Sequence, residues 1–426
     1  MSRIVDAVVP PRMGRGFRWL LGSSWASNIG DGIALAAGPL LVNSQTGSAF
    51  LVALAAVLQR LPWLVFGLWA GVVADRWDRR RVIIGANLAR VVVVAVLCAA
   101  IVSGSVNIAV VLVAMLLIGI AEVFVDTTSQ TLLPMLVRPA DLGTGNARLQ
   151  AGYLTANQLV GPLVGASLFA LGAAWPFVVQ VLCVLLAVYL IFRLQLPSRT
   201  LPAGAGARTH VLRDIAEGLR WTWNHAAIRT LAIVILVFNL TWAAPWGILV
   251  KYSTDHLGMG EVGYGLLLAA AAVGGVLGVL VYGRLERRFS PTGLMRTALT
   301  LEVLFHLALA LATEGWQAVA ILFVFGVYTF VWGTLSRTLR QRAVPEAFQG
   351  RVASVYGICT YGGLVGGTLV GGVLAEVWGL TAPMWFAFVG AGVTLALLWR
   401  PLGHVSAAAL PEGAGPGVGP AARAPE

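Results

Sequence analysis

Gly71-Val72-Val73-Ala74-Asp75-Arg76-Trp77-Asp78-Arg79-Arg80-Arg81 is a knot of charge in a chain of which only 11% is Asp, Glu, Lys or Arg. Soluble domains carry about a quarter. A charge left in hydrocarbon is costly unless it is paired or hydrated, so a turn this dense must lie where water is. Long apolar runs leave it in both directions. The turn therefore marks a membrane surface between two spans.

Outward from that turn, Val91–Val102 and Ile108–Ala121 are apolar on every face, with neither helical nor strand alternation. The chain is 58% hydrophobic, and its mean hydropathy is +0.84. Twelve stretches can be marked: 18–42, 49–74, 82–103, 107–130, 148–171, 174–195, 228–252, 261–284, 293–313, 316–338, 351–376 and 380–400. Each reaches the roughly 20 residues that cross about 30 Å of hydrocarbon as a helix. Barrel strands would be half as long and would alternate. The expected fold class is an all-α membrane protein of 12 transmembrane helices.

A net charge of +11 could suggest nucleic acid, but the placement of that charge argues otherwise. Nearly all of the 29 Lys and Arg residues fall before the first span, in alternate loops or after the last span. The loops at 43–48, 104–106 and 172–173 carry no charge. This positive-inside pattern puts both termini in the cytoplasm and the protein in the cell membrane, with no nucleic-acid partner. Met1–Arg18 shows no cleavage site, so the first span is expected to be an uncleaved anchor. Cys98, Cys183 and Cys359 lie inside spans at unrelated spacings and are expected to be apolar fillers rather than disulfides or metal ligands.

The chain repeats itself. Gly67 and Gly71 recur as Gly274 and Gly278, Ser129 as Ser336, Pro139 as Pro345, and Gly161 and Gly165 as Gly367 and Gly371. The expected organisation is a six-helix half at 1–196, a cytoplasmic linker at 197–226, a second six-helix half at 227–402 and a disordered tail at 403–426. Within the linker, Val211, Ile215, Leu219 and Trp223 stand every four residues beside charged neighbours, as in an amphipathic helix on the membrane surface. Glycine pairs four apart recur in spans 2, 5, 8 and 11, where small residues let helix backbones approach.

The Gly71–Arg81 turn resembles the loop between the second and third helices of the major facilitator superfamily. Asn28-Ile-Gly-Asp31, Leu61-Pro-Trp-Leu and Leu132-Leu-Pro-Met resemble its drug:proton antiporter branch, which includes macrolide-efflux and enterobactin-exporter proteins. The resemblance implies two pseudo-symmetric halves that meet along spans 2, 5, 8 and 11. It implies a gating latch in which Gly71 packs on span 11, Asp75 meets the start of that helix, and Arg76, Arg79 and Arg80 pair with acids to hold the outward-facing state. Asp78 stands where the pattern has a second glycine, and Tyr282 replaces the aspartate in the repeat copy. Gly161-Pro162-Leu-Val-Gly165 resembles the superfamily's antiporter motif. By resemblance, the cavity is lined by spans 1, 4, 7 and 10, which supply Phe238, Asn239, Trp242, Trp246, Tyr328 and Trp332.

Ionisable residues inside spans are functional candidates by default. Asp31, between Gly30 and Gly32, fits either a proton carrier or a carboxylate satisfied by a neighbour. Glu122 is the second proton candidate, whereas Asp126, one turn nearer the arginines, is expected to be their latch partner. Arg60 and Arg90 are expected to be counter-charges to these acids. Glu302 and His306 read as a buried hydrogen-bonded pair. No phosphate loop, nucleophile triad or metal cluster is present in the sequence, so the chain is not expected to be an enzyme and needs no cofactor beyond a proton gradient. The expected function is export of an amphipathic small molecule by proton antiport, with lipid, protons and substrate as partners and the chain a monomer. The alternatives are an importer or uniporter, or a transport-inactive assembly or sensor protein of the same fold.

Overall fold

In a computed structural model, residues 13–195, 211–345 and 348–408 are described. The helices in chain order are α1 (Gly14–Gln45), α2 (Ala49–Arg76), α3 (Arg79–Val102), α4 (Ile108–Ser129), α5 (Pro139–Leu171), α6 (Trp175–Phe192) and α7 (Val211–Asn224). They continue with α8 (Ala226–Trp246), α9 (Gly260–Arg288), α10 (Pro291–Leu311), α11 (Gly315–Ala343), α12 (Gln349–Trp378), α13 (Ala382–Leu398) and α14 (Pro401–Ala408). Ten of them, α2–α6 and α8–α12, are long and apolar enough to cross a membrane. Helix α1 has the length, but Ser23, Ser24, Ser27, Asn28 and Asp31 dilute its apolar character. Helix α13 is apolar and, at 17 residues, slightly short.

Local chemistry sets the helix ends. Asp78, the residue that departs from the loop pattern, caps α3 by accepting a hydrogen bond from the Arg81 backbone N–H at 2.8 Å. Asn107 caps α4 and Ser290 caps α10 in the same way. Within α5, Tyr153–Val160 is a π-helix that leads into Gly161-Pro162. Proline has no N–H for the preceding turn and its ring crowds the carbonyl four residues back, so a widened turn absorbs the mismatch.

Helices α1–α6 pack closely among themselves, as do α8–α13; α2 meets α12 and α5 meets α9 between the two groups. Three of the four glycine pairs do not face that junction. Gly161 and Gly165 rest on the α1 backbone at Gly32 and Ile33, Gly274 and Gly278 on α11, and Gly367 and Gly371 on α8. Each pair thus tightens a contact inside its own group. The residues that bring the groups together are others: a Cβ on Gly372 would meet that of Ala53 at 2.5 Å, and one on Gly265 that of Ala166 at 2.7 Å.

These junctions lie at the end of the bundle opposite the arginines. There the Phe50 N–H and the Ser48 hydroxyl donate to Glu376, each at 3.1 Å, and Asn43 donates to Thr254 at 3.2 Å. Midway, Trp63 stacks on Tyr361 with centroids 5.5 Å apart. Towards the arginine-rich end the helices part, and nothing lies within 4 Å of a Cβ built on Gly67, Gly71, Gly357 or Gly362. The expected packing of Gly71 on span 11 is therefore absent in this conformation, because the groups have separated at that height.

Helix α7 packs on the start of α12, where Arg351 lies 3.2 Å from Glu217. The side chains of 211–215 lie outside the described residues. The expected disordered tail begins too early: Pro401–Ala408 is helical and Val405 is buried against α8 and α10. Residues 409–426 lie outside the described set.

Candidate functional site: a shared arginine and a two-part cavity

Asp31 stands where Gly30 and Gly32 leave room for neighbouring backbones, and three helices converge on it. Arg90, on α3, is only 1% exposed; its Nη1 lies 2.9 Å from Asp31 Oδ1 and 3.9 Å from Glu122 Oε1 on α4. The Ser27 hydroxyl, one turn back on α1, donates to Asp31 Oδ2 at 3.0 Å. The ion pair is close without being well aligned, since Asp31 Oδ1 and Arg90 Nε both lack a hydrogen-bond partner. One guanidinium thus serves two carboxylates. Helix α5 lies directly behind Asp31 through Gly161 and Gly32.

Asp126 does not meet the arginine turn. It is exposed, forms no ion pair with Arg76, Arg79 or Arg80 among the described residues, and lies near Tyr153 and Tyr361. Instead, Arg79 donates from Nε to the Ala74 carbonyl at 3.2 Å and approaches Met135 Sδ at 2.7 Å. Arg80 donates to the Phe192 carbonyl and lies over the Phe192 ring at the end of α6. Arg76 is exposed, and the side chain of Asp75 lies outside the described residues. The described contacts of Arg79 and Arg80 anchor the turn on its own group of helices.

Arg60 is the clearest departure. It was expected to neutralise an acid, but it leaves α2 on the face turned towards α8 and α9, whereas Arg90 leaves α3 towards α1 and α4. Its guanidinium lies 5.7 Å from the centre of the Trp242 ring, and the titratable groups near it are Tyr264 and Tyr361. Arg60 lines a cavity of about 430 Å³ between α1, α2, α4 and α5 on one side and α8, α9 and α11 on the other. Phe238, Asn239, Trp242, Tyr328 and Trp332 all border an adjoining space of about 170 Å³, whereas Trp246, also expected at the cavity, borders the larger one. Trp242, Phe325 and Thr329 border both.

Glu302 also reaches the smaller space, although it sits on α10. It accepts a hydrogen bond from the Tyr328 hydroxyl at 2.8 Å, and its other oxygen lies 3.2 Å from Nε2 of the fully buried His306. The four-residue spacing revealed the Glu302–His306 pair. Nothing in the sequence revealed that Tyr328 would carry it to the cavity.

The profile of the transmembrane secretion effector family, a branch of the major facilitator superfamily, matches residues 7–411. The chain belongs to that family. It is accordingly a multi-pass membrane transporter and not an enzyme. It is 31% identical over 379 residues to the multidrug efflux pump Tap of Mycolicibacterium fortuitum, covering 85% of this chain and 90% of that one. It is 29% identical over 365 residues to Tap of Mycobacterium tuberculosis (strain ATCC 25618 / H37Rv), covering 83% and 85%. With the enterobactin exporter EntS of Shigella boydii it shares 27% identity over 365 residues, covering 84% and 85%. A bacterial homologue of the iron transporter ferroportin, solved in an inward-facing state, superposes with a TM-score of 0.73 at 15% identity, over 92% of this chain and 98% of that one. At that identity the likeness concerns the fold alone.

Proposed function

We propose that the chain exports an amphipathic small molecule across the cell membrane in exchange for protons, by alternating access. The observation that carries this reading is Arg90 placed between Asp31 and Glu122. Two carboxylates that share one buried cation are stable when one of them holds a proton, since an unpaired charge at that depth is costly. Cargo arriving from the cytoplasm would find the acids deprotonated, and a proton taken from outside would reset them. The efflux relatives support the outward direction.

The reading takes α1–α6 and α8–α13 as twelve spans in two halves, 1–196 and 227–402, with the arginine-rich end and both termini in the cytoplasm. The present conformation is then inward-facing. A change of charge at Asp31 would act on the α1 backbone, which bears directly on Gly161 and Gly165. Helix α5 in turn bears on α9 through Ala166 and Gly265. The proton site would thus move the junction between the halves without touching the cargo. No cofactor enters this cycle.

The test is proton-driven uptake of fluorescent amphipathic dyes, anionic, neutral and cationic in parallel, into everted membrane vesicles. Uptake that is lost when the pH gradient is collapsed, and lost again in Asp31→Asn, is the expected result. Uptake that survives complete collapse of the gradient would overturn the coupling.

A further inference from the structure

We infer that Arg60 is an anion subsite of the central cavity, and that the cargo carries an acidic oxygen group, such as a carboxylate or phenolate, on an aromatic body. This deepens the export reading by naming the class of cargo, and it rests on that reading only in taking the cavity as the cargo site.

Three observations converge on it. First, Arg60 Nη1 is buried without a hydrogen-bond partner, and no carboxylate stands among the groups that act on its charge. Tyr264 and Tyr361 are neutral at pH 7. A guanidinium is always charged, so it cannot escape its burial by losing a proton. Second, the Trp242 indole N–H is also buried and unpartnered, and Trp242 lines the cavity with Arg60. Arginine and indole can only donate, so what these two buried groups lack is an acceptor. Third, the remaining wall is aromatic. Trp242 stacks on Trp246 at 5.0 Å, and Phe325 lies 6.2 Å from Trp242. A volume of about 430 Å³ falls within the range of small-ligand pockets, about 300–1,000 Å³.

Asp31, Glu122 and Asp126 do not line this cavity. The acids that would carry protons are thus separate from the cation that would hold cargo. An anionic cargo would pair with Arg60 without competing for Arg90. A cationic cargo of the same shape would meet an uncompensated positive charge.

The test uses three probes on one aromatic scaffold: naphthaleneacetate, its methyl ester and naphthylethylammonium. Each is titrated calorimetrically into the purified full-length protein in detergent micelles, with protein-free micelles subtracted. A charge-assisted bond to a desolvated guanidinium predicts that the wild type binds the carboxylate at least about tenfold more tightly than the ester, and the ammonium weakest. Arg60→Gln should remove the carboxylate's advantage while leaving ester binding within about twofold, and Arg60→Lys should keep part of it. Equal affinity for carboxylate and ester in the wild type, failure to bind the carboxylate, or an unchanged ratio in a folded R60Q protein would each overturn the proposal. The wild-type ratio decides by itself if R60Q does not fold. Binding is read without transport, so loss of proton coupling in vesicles would strike the antiport reading and leave this one standing.

Discussion

Arg90 reaches Asp31 at 2.9 Å from a position where almost no solvent reaches its side chain. The pair joins α3 to α1 across the middle of the bundle, and Glu122 stands second in line for the same cation. Arg90→Met would leave two carboxylates without their counter-charge. Removing one partner of a buried pair costs about 3–5 kcal/mol, and the loss should appear in the thermal unfolding midpoint in detergent. Adding Asp31→Asn should recover part of that loss, and a double-mutant cycle measures how much. Strict additivity of the two substitutions would show that the pair is not coupled.

Two glycines on different helices should behave in opposite ways. A Cβ on Gly161 would fall 2.5 Å from the Gly32 backbone, whereas one on Gly71 meets nothing within 4 Å. Gly161→Leu is expected to destabilise the protein by at least about 1–3 kcal/mol through overpacking. Gly71→Ala should leave stability within about 0.5 kcal/mol. If the latch closes in the outward-facing state, Gly71→Ala should still impair transport. Measuring unfolding and vesicle uptake on both variants separates packing from gating.

Tyr328→Phe deletes the hydroxyl that donates to Glu302 and leaves that carboxylate beside His306 alone. Leaving a buried acceptor short of its donor costs about 1–3 kcal/mol. The unfolding midpoint should fall accordingly, with a smaller drop when Glu302→Gln is already present. Equal drops in both backgrounds would mean that the hydrogen bond contributes nothing.

Asp255 offers a pH signature outside the spans. Its burial pushes the carboxyl up, but hydrogen bonds from Lys251 and Thr254 and the Lys251 charge outweigh this and hold it below its ordinary value. A depressed folded-state value contributes stability that is fully present above the unfolded value, about 3.9, and is lost as pH falls through the folded one. The difference in unfolding midpoint between wild type and Asp255→Asn should therefore be flat from about pH 8 to about pH 5 and shrink only below about pH 4. Asp255 is 41% exposed, so the effect should be small. A difference that grows on acidification would reverse the sign and refute the assignment.

Some of this site was legible in the sequence and some was not, and the division follows from geometry. Asp31, Glu122 and Arg90 announced themselves because a charge inside an apolar run has few explanations. Arg60 announced itself equally, but its partner was misread, since a run of residues says how deep a side chain lies and not which way it faces. The glycine pairs were visible as pairs, yet their direction of packing was not: three of the four tighten contacts within one group of helices. Asp126 lies one turn from Glu122, and proximity along the chain placed it with the arginine turn. The separation of the helices at that height leaves it in the open instead.

The apolar runs, the charge asymmetry and the repeat are properties of the chain taken in order. Hydrocarbon has no hydrogen bonds to offer the backbone, so each long apolar run must close its own as a helix. The sequence by itself therefore determined the helical membrane class and the charged turn that labels the family. Which face each helix turns to its neighbours is a property of packing between segments far apart in the chain. Only the tertiary structure decided that one arginine is shared by two acids while another lines an aromatic cavity that neither of those acids borders.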